Sequence, residues 1–131
     1  MSSPHSPTKD FDLATILDIS CGIKQVGDKE AYYAMLEGFQ STFPQHLNSL
    51  TASYEVYDEA KFREVAFTIM ATTGYLAAGR VYHMSSKIHG AFMRKEYAEE
   101  FSYYAQLLEE AILLKIEIKK ALCSKKGVNI M

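Results

Sequence analysis

The sequence predicts an all-α protein, an antiparallel four-helix bundle of three long helices and one shorter one, with a short extra helix at the N-terminal side. Three observations lead there. Apolar residues recur at three- and four-residue spacing along most of the chain, the period of a helix with one buried face. No Val/Ile/Thr alternation and no Asn-Gly hairpin pair occurs in the sequence, so nothing reads as a strand. The periodic stretches are separated by short Gly- or Asp-bearing turns, which bring consecutive helices back against each other.

Residues 1–9, MSSPHSPTK, are rich in Ser and Pro and hold His5; they are expected to be a disordered tail. Asp10 or Asp12 is placed to cap a first short helix whose apolar positions are Phe11, Leu13, Ile16, Leu17 and Ile19, with Gly22 interrupting it and a second segment, Ile23 to Val26, ending at Gly27. Asp28 then caps a helix with the stripe Ala31, Tyr32, Met35, Leu36 and Phe39. Pro44 lacks a backbone donor and disfavours helix at Phe43, so a kink or brief break is expected there. Leu47, Leu50, Tyr54 and Tyr57 resume the period.

Asp58 caps the central helix, expected to run to about Gly79 or to pass with a bend into the next. Val81, Met84, Ser85 and Ile88 define a fourth, shorter helix with Gly90 as its stop. The last helix is expected from about Lys95 to Leu122, with Glu96, Glu99 and Glu100 early and Lys115, Lys119 and Lys120 late, as the helix dipole favours. The bundle therefore spans residues 10–124, followed by a frayed tail over 125–131.

The central helix carries the pattern that needs explaining. From Val65 to Gly79 it has no charged residue, although 23% of the chain is charged. Phe62, Val65, Ile69, Thr72, Thr73 and Leu76 gather on one side as core. On the opposite side, where a surface helix would place Lys and Glu, stand Phe67, Met70, Ala71, Gly74 and Ala78.

Totals exclude several function classes. A chain of 131 residues with 48% hydrophobic residues is one folded domain. A formal net charge of −2 with interspersed signs leaves no basic stripe for phosphate backbones, so nucleic acid is not expected as a partner. Cys21 and Cys123 are far apart, match no metal spacing and are expected to be free thiols. No segment is apolar and long enough to span a bilayer. A cytoplasmic protein with no cofactor, no metal and no membrane partner is expected.

Two stretches resemble a known family. LDISCGIKQVGDKEAYYAMLEGF and AFTIMATTGYLAAGR are similar to the opening and the central segment of the histidine-containing phosphotransfer (HPt) domain of two-component phosphorelays, a match that covers about residues 12 to 122. The family's central segment reads Ala-His-x-Leu-Lys-Gly, then a small pair, then an apolar residue, Gly and Ala. Ala66 takes the first position, Ile69 that of Leu, Thr72 and Thr73 the small pair, Leu76 the later apolar position and Ala78 the closing Ala. The histidine slot holds Phe67, the lysine slot Met70 and the glycine slot Ala71. The resemblance implies the HPt-type bundle and its docking surface for a response-regulator receiver domain or a histidine kinase. Phe67 has no nucleophilic atom, so the family's phosphotransfer does not carry over to this position.

The chain therefore reads as a pseudo-HPt module, not an enzyme and with no catalytic residue, that binds its partner without carrying phosphate. The expected partner-binding residues are Arg63, Phe67, Met70, Ala71, Gly74 and Ala78, with His46 on the second helix. The competing reading is a phosphocarrier that uses another histidine, foremost His46. His83 and His89 stand six positions apart on the fourth helix, a spacing unsuited to a shared metal. The protein is expected to be a monomer, and a homodimer seam or an unrelated partner is the alternative use of the apolar patch.

Overall fold

The computed structural model describes residues 12–125, and among them there are helices and turns but no strand. The helices are α1 (Ile19–Val26), α2 (Lys29–Glu55), α3 (Glu59–Leu76), α4 (Gly79–Met93), α5 (Tyr97–Ser102) and α6 (Tyr104–Lys125). The expected all-α class is the observed one. α3 packs between α2 and α4, and α6 closes the ring against α4 and α2, so these four form the bundle while α1 and α5 sit at its ends.

Caps mark the starts as the sequence indicated. Asp28 Oδ2 accepts from the Ala31 N–H at 2.8 Å, and Asp58 Oδ1 from the Lys61 N–H at 3.1 Å. Gly27, at φ 92°, ends α1 in the left-handed region that a Cβ disfavours. Fully buried Leu36, Phe43, Leu50, Phe62, Ile69, Ile88, Leu107, Leu114 and Ile118 fill the centre. Each stabilises the fold by about 1.5–3 kcal/mol relative to exposure. An aromatic seam ties α2 to α6, with Tyr54 and Tyr104 stacked at 3.9 Å and the Tyr104 hydroxyl donating to Thr51 Oγ1 at 2.7 Å.

Several boundaries differ from expectation. The first helix begins at Ile19 behind the Asp18 cap, and Gly22 lies inside it. Residues 12–18 instead form a non-helical strap, with a turn at 13–14, over the α3–α4 corner: the Asp18 N–H donates to the Ala77 carbonyl at 2.9 Å and the Arg80 N–H to the Thr15 carbonyl at 3.1 Å. Leu13, Ile16 and Leu17 are spaced like a helical stripe, but that packing takes over the backbone. Gly22 is where α1 approaches most closely, since a Cβ there would lie 2.9 Å from the Leu76 carbonyl.

Of the kink or brief break expected at Pro44, the break is not made: Pro44 sits inside one continuous α2, because losing a single donor does not outweigh the core contacts of Phe39, Phe43 and Leu50 around it. α3 stops at Leu76, with Ala77 at φ 61°, and α4 runs past Gly90 to Met93. The last helix is two, α5 and α6, separated at Tyr103. The tail expected over 1–9 lies outside the described residues, as does 126–131, and Lys125 ends α6.

Candidate docking surface

Asp58 and the apolar register of Phe62, Val65, Ile69 and Thr73 fix the rotation of α3, and that rotation decides what its far side displays. Ala71 is exposed, as are its neighbours Glu64 and Thr68, while Phe67 and Met70 are half-buried along the edge toward α4. Phe67 does not stand alone there. Its ring meets that of His89 on α4 edge-on, with centroids 4.6 Å apart at 60°.

The remaining expected site residues divide. Arg63, one turn before Phe67, is bound inward: Nε and Nη2 donate to the two carboxylate oxygens of Glu100, each at 3.0 Å, and Cζ lies 4.0 Å from the Phe92 ring centroid. That hydrogen bonding to Glu100 raises the guanidinium pKa above its ordinary value. Gly74 is buried, its carbonyl accepting from Gln25 Nε2 of α1 at 2.9 Å, and Ala78 is 0% exposed in the α3–α4 corner. Gly74 and Ala78 belong to the interior, because α1 and the strap cover the C-terminal end of α3. The stripe is open at Phe67, Met70 and Ala71 and closed beyond them. His46 is half-buried on α2, and the histidine that the fold brings to Phe67 is His89 instead.

The sequence leaves His46, His83 and His89 all open as a displaced acceptor and sets His46 first, because the only evident relation of His89 is to His83. Counting from Phe67 gives no helical register, since the two residues lie on different helices. A second signal emerges only in three dimensions: His89 Nδ1 and Ser85 Oγ are both buried without a hydrogen-bond partner, and they sit at i and i+4 on α4.

Elsewhere, a groove of about 220 Å³ between α2 and α6 is lined by Gln40, Phe43, Lys115, Ile116, Ile118 and Lys119. It shares no lining residue with the α3–α4 face. Among the described residues, no cluster of three or more His, Cys, Asp or Glu is placed to hold a metal, and no helix is long and apolar enough to cross a membrane.

The chain is similar to a phosphorelay intermediate. It is 27% identical over 118 residues to the phosphorelay intermediate protein rdeA of Dictyostelium discoideum, a match that covers 88% of this chain and 44% of that protein. The chain thus spans less than half the length of this relative. No family model matches the sequence. No solved structure matches it either.

The similarity supports the HPt resemblance carried by the two sequence stretches, and the helical bundle is compatible with it. With α3 oriented as it is, the residues in the family's histidine, lysine and glycine slots, Phe67, Met70 and Ala71, all lie on the side away from the core centre.

Proposed function

We propose that the chain is a cytoplasmic phosphorelay docking module, a binding protein rather than an enzyme, that engages a response-regulator receiver domain or a histidine kinase through the α3 face at Phe67, Met70 and Ala71. Position 67 itself carries no phosphoryl group, because a benzyl side chain offers no lone pair. The observation that supports this reading most is the register: Ala71 is exposed, and Phe67 and Met70 flank it at half burial. A small residue flanked by two large apolar ones gives a partner close approach and an apolar contact, the composition of an interface centre. Arg63 contributes by holding the adjoining α5 in place rather than by reaching out, and Gly74 and Ala78 act only by fixing the α3–α4 corner.

Binding of a receiver domain from the same cell, measured by calorimetry, tests the proposal. Ala71→Glu places a charge in the centre of the contact and should weaken binding by roughly tenfold or more, on the order of the 1–2 kcal/mol of an interface anchor, while leaving the melting temperature unchanged. Equal binding by the parent and Ala71→Glu would place the interface elsewhere. Concentration-independent mass by light scattering is expected for the free protein.

A further inference from the structure

We propose that His89 is a phosphoacceptor of this protein, taking on Nε2 the phosphoryl group that the side chain at position 67 cannot accept, with Ser85 as its positioning residue. For its biological donor this rests on the docking reading above, and it goes further than a binding-only role by returning a nucleophile to the same face.

Place is the first argument. Of the histidines in the described residues, His89 is the one whose ring touches Phe67, at 4.6 Å between centroids. A partner seated over Phe67 and Ala71 therefore reaches His89 across the α3–α4 seam without a second docking site. His46 is on α2, and His83 lines a different cavity with Leu13, Ala14, Arg80, Met84, Gln106 and Glu110.

The second argument is the state of the ring. Nδ1 is shut off from solvent with no hydrogen-bond partner, and Nε2 is not orphaned in that way; the residue as a whole is half-buried. A buried orphan of this kind is costly to leave unpaired, and in a folded protein it calls for an explanation in strain, chemistry or a bound partner. One turn earlier, Ser85 Oγ is equally buried and equally orphaned. Side chains at i and i+4 of a helix are neighbours, so a rotation of the Ser85 hydroxymethyl lets Oγ accept from Nδ1–H. That bond fixes the tautomer in which Nε2 carries the lone pair, the arrangement a nucleophilic imidazole needs.

The step balances within the two molecules. The Nε2 lone pair attacks the phosphorus of an aspartyl phosphate; the N–P bond forms and the bond from phosphorus to the carboxyl oxygen breaks. The aspartate leaves as a carboxylate with that electron pair. The proton on Nδ1 stays there, held by Ser85 Oγ.

Phosphoramidate, which donates its phosphoryl group and releases ammonia, tests the acceptor without any partner. The full chain and its His89→Gln, His46→Gln and His83→Gln variants are incubated with it, each checked for helical content, and the modified residue is located by phosphopeptide mapping and ¹⁵N NMR. Acid-labile label on Nε2 of His89 is the result expected, lost in His89→Gln and kept in the other two. Ser85→Ala should slow labelling and shift the His89 tautomer populations, with Ser85→Thr restoring both. No label on His89 in the folded parent, or label on His46 or His83 instead, overturns the proposal. Receiver binding by His89→Gln is measured separately. If binding fails in the parent but His89 is labelled, the docking reading falls and the acceptor stands; if binding holds and His89 stays unlabelled, the reverse is true.

Discussion

Arg63 of α3 and Glu100 of α5 are joined by two parallel hydrogen bonds of 3.0 Å, and the carboxylate is only 1% exposed. The pair clamps the short α5 against the N-terminal half of α3, and the Phe92 and Tyr97 rings enclose the guanidinium at 4.0 and 5.6 Å. A bidentate Arg–carboxylate pair of this kind sets geometry as well as energy. It turns Arg63, one turn before Phe67, inward, so that its charge is not presented beside Phe67 and Ala71.

Removing one partner of that pair should be costly. Arg63→Ala leaves the Glu100 carboxylate buried and unpaired, with an expected loss of about 3–5 kcal/mol. Glu100→Gln retains the shape and an acceptor and should lose less. Urea unfolding of the two variants checks the order.

Lys95 offers the opposite sign. It sits at φ 61° directly after α4, its N–H donating to the Phe92 carbonyl at 2.9 Å while the Glu96 N–H donates to Ala91 at 2.8 Å, the pattern that usually places glycine at this position. Relieving the Cβ of an exposed residue there should stabilise the fold by about 1 kcal/mol in Lys95→Gly. A rise in melting temperature by calorimetry checks it.

Tyr32 predicts an alkaline limb. Its hydroxyl donates to the Leu76 carbonyl at 2.9 Å in the core, and burial, chiefly, pushes its pKa well above the ordinary tyrosine value of 10.0. The folded state thus favours the neutral phenol. Its stabilisation is complete below about pH 10, where tyrosine in the unfolded chain also stays protonated. Above that pH the unfolded chain binds fewer protons than the folded one, so the unfolding free energy falls as pH rises. Tyr32→Phe should cost about 1–3 kcal/mol at neutral pH by orphaning the Leu76 carbonyl, and should show a shallower decline in denaturation series above pH 10.

The bundle was legible in the sequence wherever the signal was local. Asp28 and Asp58 announce helices because capping acts over three residues, and the α2 and α3 stripes follow from a single period. The strap over residues 12–18 was not legible, because its apolar spacing is helical while its backbone bonds go to Ala77 and Arg80, more than fifty positions away. The site was half legible for the same reason. Phe67, Met70 and Ala71 declare themselves as an uncharged stripe, whereas the burial of Gly74 and Ala78 under α1 and the strap is a tertiary event. The partners Arg63–Glu100 and Phe67–His89 are joined only by folding.

The proposed function has a phosphorelay partner docking on the face that α3 presents at position 67. It is tested most directly in a His89→Gln background, by comparing that parent with a variant that also carries Phe67→His, Met70→Lys and Ala71→Gly. Both are incubated with a phosphorylated receiver domain from the same cell and assayed for phosphohistidine at position 67. Uptake is expected in the restored variant and none in the parent. No uptake by a folded, restored variant would contradict it, because a docked receiver would then be expected to find the acceptor.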